Sequence, residues 1–299
     1  MNTFVRMRQI PPPGEVFVDK GSMTVSPGGQ GAVAAAALSK LGAISLFLAR
    51  LGNDAYGKRL TRLYEDVGID TRWLSMDESS PTCQTCILQE EGEEAQQIIF
   101  EGAAATLGGF HIQEALSARP DALYMTLELP MNTLAIAANM ASERGLPIYI
   151  DGAPALPDLD LSLLPRVTVF SPNEQETLAL TGILPAGTDS CLLAAMALQK
   201  KIAADYYVIK LGNRGAYIYD GIYCHSVASF VIPITDHAGA GAAFTAALAL
   251  AHLKNGGDML EAARYANAVS ALTLQKSGCF SALPSAEETE SFLRKHSRS

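Results

Sequence analysis

Four short apolar runs, Leu123 to Leu127, Ile148 to Asp151, Val167 to Phe170 and Tyr206 to Leu211, alternate with longer segments of helical pattern, and this alternation constrains the fold most tightly. Short runs that are apolar on both faces suit strands covered by helices on either side, the arrangement of a parallel sheet. The rhythm extends upstream: Ala32 to Leu41 reads as a small-residue helix closed by Gly42, and Ile44 to Ala49 as a strand. Asp54 caps a helix running to about Asp66, with Gly68 ending it. The last third ends in helices at about Ala240 to Leu253, Met259 to Gln275 and Ser285 to Lys295. An α/β domain with a mostly parallel central sheet is the expected architecture.

Two pieces break the rhythm, Glu15 to Val25 and Thr82 to Phe100, the second a hairpin turned at Glu91-Gly92. Their alternating, partly polar pattern predicts strands with one solvated face, outside the main sheet, forming a lid. Residues 1–299 read as one domain, with lid segments at about 15–25 and 82–100. A composition of 48% hydrophobic and 18% charged residues supports a core of that size. The net charge of −9 weighs against a nucleic-acid or anionic-membrane surface. No long apolar span occurs, and Met1 to Gly14 has two arginines but no apolar signal core, so a cytoplasmic protein is expected. Five cysteines without framework spacing fit reduced thiols. Cys83 and Cys86, three apart on a strand, point to opposite faces, and no second pair completes a zinc site.

The stretch Asp236-His237-Ala238-Gly239-Ala240-Gly241-Ala242-Ala243-Phe244 follows the apolar run Phe230 to Ile234 and opens an alanine-rich run. It reads as strand, glycine turn and buried helix, and the N–H groups and dipole of such a helix start make an anion site. A dinucleotide fingerprint fits less well, because the third glycine is missing; a purely structural turn also fits. Pro27-Gly28-Gly29-Gln30-Gly31-Ala32-Val33 is a second glycine turn before a packed helix, able to approach a small ligand or simply to pack. In Ser171-Pro172-Asn173-Glu174-Gln175-Glu176 an amide and a carboxylate share a first helical turn, as plain caps or facing Mg²⁺ through its water shell. Val208 to Ala216 is a strand, a glycine turn and a return strand. Glu128 and Asp151 stand at the ends of apolar strands, where ligands bind in open α/β sheets, although a solvated loop carboxylate would look the same.

Taken in order, these segments resemble the ribokinase (PfkB) family of sugar kinases from about Val5 to Leu293. The resemblance implies a three-layer α/β/α domain with a small β lid, often paired with another lid in a homodimer. It implies ATP as co-substrate, Mg²⁺, a K⁺-tuned anion site, and phosphoryl transfer to a sugar or nucleoside hydroxyl. By position, Gly239, Ala240 and Gly241 resemble the anion hole, Asn173 the nucleotide-side amide and Glu176 the indirect Mg²⁺ partner. Lys210, Gly212, Gly215 and Asn267 resemble ATP contacts, Gly28, Gly29 and Glu128 sugar contacts, and Asp236 the monovalent-cation loop.

Departures from the family pattern fall on the sugar side. The family's catalytic aspartate is Ala242 here, its sugar-binding asparagine is Val33, and Asn2 stands about where a sugar-binding aspartate would be. The family's first strand is absent ahead of Val5-Arg6. His237 falls inside the motif as a candidate substitute base. The chain therefore reads as an ATP-dependent sugar kinase with impaired turnover, most like the ribokinase branch, or as a pseudokinase that binds nucleotide or metabolite.

Overall fold

The computed structural model describes residues 1–93, 96–156 and 159–296. In chain order its first half runs β1 (Asn2–Met7), β2 (Ser22–Ser26), α1 (Gln30–Lys40), β3 (Ala49–Gly52), α2 (Ala55–Asp66), β4 (Leu74–Asp77), β5 (Gln84–Glu90), β6 (Gln96–Phe100), α3 (Gly109–Ser117), β7 (Leu123–Thr126) and α4 (Met131–Ser142). The second half runs β8 (Ile148–Asp151), β9 (Val167–Ser171), α5 (Glu174–Thr181), α6 (Thr188–Gln199), β10 (Ala204–Lys210), β11 (Ala216–Tyr219), β12 (Cys224–Val227), α7 (Ala240–Lys254), α8 (Met259–Leu274) and α9 (Ala286–His296).

The main sheet has the order β12-β11-β10-β9-β8-β7, parallel from β7 to β10 and antiparallel from β10 through β12. Side chains alternate between two cores, as the pleat requires. Tyr149, Val208 and Ile218 face a core built with α1, α2, α7 and α8, while Ile148, Ile150, Ile209 and Tyr217 face one built with α3, α4, α5 and α6. Three layers result. The alanines of α1 and α7 let these two helices approach each other closely, and they are buried over Ala32 to Ala37 and Ala242 to Leu250.

A second sheet, β2-β1-β5-β6, carries the lid, with β1 antiparallel to β2 and parallel to β5. The hairpin expected over Thr82 to Phe100 is present, its register pairing Leu88 with Gln96. Only Ser22–Ser26 of the segment Glu15 to Val25 is strand; the three prolines at Pro11 to Pro13 and the glycines at 14 and 21 keep the approach irregular.

Two other expectations need correction. The strand read at Ile44 to Ala49 forms at Ala49–Gly52 instead, pairing only with β4 in a two-stranded sheet; upstream, Leu46 makes a lone bridge to Asp70. Among the described residues no strand joins β3 to β7, whose outer edge has no ladder partner. The segment just ahead of β3 approaches β7 across Gly31, where an added Cβ would lie 3.6 Å from Phe47 and 3.8 Å from Thr126. Phe230 to Ile234 is not a strand: Pro233 removes a ladder donor, Phe230 and Ile232 pack beside Phe292 of α9, and Val231 stays exposed.

Candidate active site

The parallel strands end side by side at Thr126, Asp151, Ser171 and Lys210, and α7 begins above them. Gly239 precedes α7 in the left-handed region, φ 81°, and a Cβ there would lie 3.1 Å from the Cys279 carbonyl and 3.2 Å from Val33. Only glycine fits that turn without strain. First-turn N–H groups of a helix have no intrahelical acceptor, and no side chain caps α7, so its positive end opens at Gly241, an exposed residue. The turn is pinned from behind by Asp236, whose carboxylate accepts from the N–H groups of Ala238 and Gly278 at 3.0 and 2.9 Å. Those bonds hold its pKa below the ordinary carboxylate value.

Beneath the turn lies a buried polar cluster that the sequence does not announce as a unit. Lys210 donates to both oxygens of Asp151 at 2.9 Å and to the Thr245 hydroxyl at 3.3 Å. Glu176 stands 3.9 Å from the same ammonium. Asp151, Ser171 and Thr245 are fully buried and Lys210 is 8% exposed. The Tyr124 hydroxyl is buried beside Asp151 outside ordinary hydrogen-bond geometry, and burial, with the neighbouring carboxylate, holds it well above the ordinary phenol range. Burial also raises the Glu176 pKa, against the pull of Lys210.

Asn173 and Glu176 form a reciprocal capping box at the start of α5. Asn173 accepts from the Glu176 N–H at 2.8 Å, while the Asn173 N–H and side-chain amide each donate to a Glu176 oxygen at 2.7 Å. Gly212 and Gly215 turn β10 into β11 with φ 55° and 90°, and a Cβ on Gly215 would sit 2.0 Å from the Val227 carbonyl. Arg214 locks this turn onto Glu174 and the carbonyls of Pro185 and Ala186. Asn267 is 3% exposed, and its amide donates to the carbonyls of Val227 and Ala228 at 3.1 Å. It clamps the chain beyond β12 rather than facing open space.

Across the crevice the residues are of another kind. Val33 and Ala242 lie in one buried apolar cluster, 3% and 1% exposed. Glu128 accepts from the N–H groups of Gln30 and Gly31 at 2.9 and 3.0 Å and from the Thr126 hydroxyl at 3.1 Å, so its carboxylate caps α1 from a neighbouring strand end. Gly29 supplies φ 105° before α1, and Gly28 lies so close to Asn2 that a Cβ would meet its amide at 2.2 Å. Asn2 belongs to the lid strand β1, which brings the lid base to this glycine turn. His237 is exposed on the loop before Gly239.

Contacts join these groups into one neighbourhood, Gly241 and Glu176 through Lys210, Gly239 to Val33, and Gly31 to Glu128, while Asn267 and Asp236 hold backbone behind it. The Lys210–Asp151 pair was legible only as two polar residues ending apolar strands two ladder positions apart. Among the described residues no group of three or more His, Cys, Asp or Glu is placed to hold a metal ion, and all five cysteines are free.

Residues 1–286 match the family model of the pfkB family carbohydrate kinases. Ribokinase of Haemophilus influenzae is 29% identical over 283 residues, 94% of this chain and 91% of that one. The ATP-dependent ribose-1-phosphate kinase of Halopiger xanaduensis is 30% identical over 275 residues, 91% of this chain and 88% of its own length. The structure of Arabidopsis thaliana ribokinase complexed with ribose and ATP matches with a TM-score of 0.83 at 25% identity, covering 98% of this chain and 95% of that chain.

Proposed function

The chain belongs to the pfkB family of carbohydrate kinases, and from that premise we propose a cytoplasmic, ribokinase-like protein that binds ATP or ADP and has impaired phosphoryl transfer to a sugar hydroxyl. The observation that carries this reading is the pairing of an uncapped α7 start at Gly239 to Gly241 with a buried alanine, Ala242, at the next position. The first feature supports binding of a transferring phosphoryl group: fixed N–H donors and the helix dipole would stabilise its charge. The second leaves no side chain there to take the proton of an attacking hydroxyl, and loss of a positioned base costs about 10²–10⁴-fold in rate.

Mg²⁺ would arrive with the nucleotide and neutralise charge on its phosphates. Both Glu176 oxygens already accept from Asn173, so Glu176 suits an outer partner of metal-bound water rather than a direct ligand. K⁺ belongs to the same proposal, at the loop that Asp236 ties to the anion turn through Gly278. A pentose-type acceptor would lie against Gly28, Gly29, Asn2 and Glu128. The lid sheet exposes Met23, Ile98, Ile99 and Phe100, which supports pairing of two lids in a homodimer.

A second reading, a catalytically silent nucleotide-binding protein, is favoured by the way Val33 and Ala242 share one apolar cluster, so that the acceptor side has lost two polar groups together. ADP release from Mg-ATP with K⁺, measured across pentoses, hexoses and nucleosides, separates the two. Slow turnover with one acceptor supports the impaired kinase. Background rates with every acceptor, alongside measurable ADP binding, support the silent one. Turnover at rates ordinary for a kinase, on the order of 1–100 s⁻¹, would sink both and make another group, such as His237, the base.

A further inference from the structure

We propose that Lys210 is a resident cation for phosphates seated at the α7 turn, held in reserve by Asp151, so that nucleotide binding to this protein does not depend on a divalent ion. The inference rests on the reading of the α7 start as the nucleotide-phosphate site.

The placement of the ammonium is electrostatically odd without such a ligand. A Cβ added at Gly241 would lie 3.9 Å from the Lys210 Nζ, so a buried positive charge sits against the positive end of a helix. Asp151 offsets that repulsion from below, and an anion at the turn would do so from above. All three ammonium donors are in use, two on Asp151 at 2.9 Å and one on Thr245 at 3.3 Å. The Thr245 bond is the longest, so turning the ammonium toward a phosphate oxygen breaks it first and then frees one Asp151 oxygen, while the other keeps the ion pair.

Tyr124 provides the matching half of the exchange. Its hydroxyl is buried and already leans on Asp151, outside ordinary hydrogen-bond geometry. When Lys210 turns toward a phosphate, that O–H can donate to the carboxylate oxygen released, which removes the cost of leaving it bare. Glu176, 3.9 Å from the ammonium, lies on its other side, so a cation already stands between the Asp151 and Glu176 carboxylates.

A structural role alone, tying β8 to β10 across β9, makes a different forecast, because then the two partners are equivalent. Calorimetric titration of ADP, first in EDTA and then in Mg²⁺, distinguishes them with three proteins: the parent, Asp151→Asn, and Lys210→Met with Asp151→Asn. The double variant avoids stranding a buried carboxylate, and circular dichroism checks that each is folded. The parent is expected to bind ADP in EDTA within about tenfold of its Mg²⁺ affinity. Asp151→Asn, which frees the lysine, tightens binding in EDTA, and the double variant weakens it by about tenfold or more, the worth of one charge-assisted bond. Binding by the parent only when Mg²⁺ is present overturns the inference and leaves the nucleotide reading standing. Equal affinities for the two variants in EDTA, or weaker binding by Asp151→Asn than by the parent, overturn it too. Absence of binding in both buffers removes the nucleotide reading and this inference with it.

Discussion

On the side proposed for phosphate each polar group has a partner or faces the open α7 start: Asn173 with Glu176, Lys210 with Asp151, Asp236 with Gly278. On the side proposed for the acceptor, one helical position beyond Gly241, the chain presents Ala242 packed in a cluster with Val33, and Glu128 is occupied in capping α1. The two sides share α1 and α7, so they share stability, yet they differ in chemistry. An anion site made of backbone N–H groups survives any side chain that leaves the turn intact, whereas a base is a single side chain that one substitution removes. Binding and turnover are therefore separable on this scaffold, and the comparison can be broken by disturbing either side alone.

The largest effect is expected at the turn itself. Gly239→Val places a β-branched residue at φ 81° with 3.1–3.2 Å contacts to Cys279 and Val33. Displacing the N–H groups of the α7 start is expected to weaken ADP binding by more than about a hundredfold, read by calorimetry, since each charge-assisted bond is worth about 1.5–3 kcal/mol. Retained affinity would mean that phosphates bind elsewhere.

Next comes the acceptor side. Ala242→Asp inserts a carboxylate into the Val33 cluster and is expected to lower stability at neutral pH by about 1–3 kcal/mol. Burial would raise the folded-state pKa above the unfolded value, so this deficit is full at pH above the raised pKa and shrinks as pH falls through it. Urea melts at neutral and at mildly acidic pH check the sign. Adding Val33→Asn supplies a hydrogen-bond partner and should recover part of the loss; no recovery would show that the two positions do not act together.

How much of this could be read from the residues follows from burial. Strands β8, β9 and β10 were legible because both of their faces are covered, and α7 and α8 because glycine or aspartate caps open them. β12 escaped notice, since Cys224–Val227 is exposed and lacks an apolar pattern, and β1 because it pairs with residues far along the chain. The glycine turns were legible as candidate ligand loops. The Lys210–Asp151 pair was not, because a contact across an intervening strand depends on sheet order, which no local pattern encodes.

Smaller effects sharpen the division. Asn267→Ala leaves the Val227 and Ala228 carbonyls unpaired in the interior and should cost about 1–3 kcal/mol in a urea melt. Its effect on ADP affinity should be slight if the amide only clamps backbone; a large loss of affinity would place it at the ligand. Smallest is the pH response of the Asp236 pin. Its folded pKa lies below the unfolded one, so its contribution is present above the unfolded carboxylate value and disappears as pH falls through the folded one. Stability should therefore decline faster below about pH 4 in the parent than in Asp236→Asn, which lacks that titration. Parallel declines would show that the pin contributes nothing.

The division between the two sides is tested most directly by saturation-transfer NMR on one sample holding the protein, ADP and ribose together. ADP resonances should gain strong saturation from the protein and ribose resonances, with Val33 and Ala242 in place of polar partners, much weaker saturation. Saturation of ribose but not ADP, or of both equally, would contradict the account.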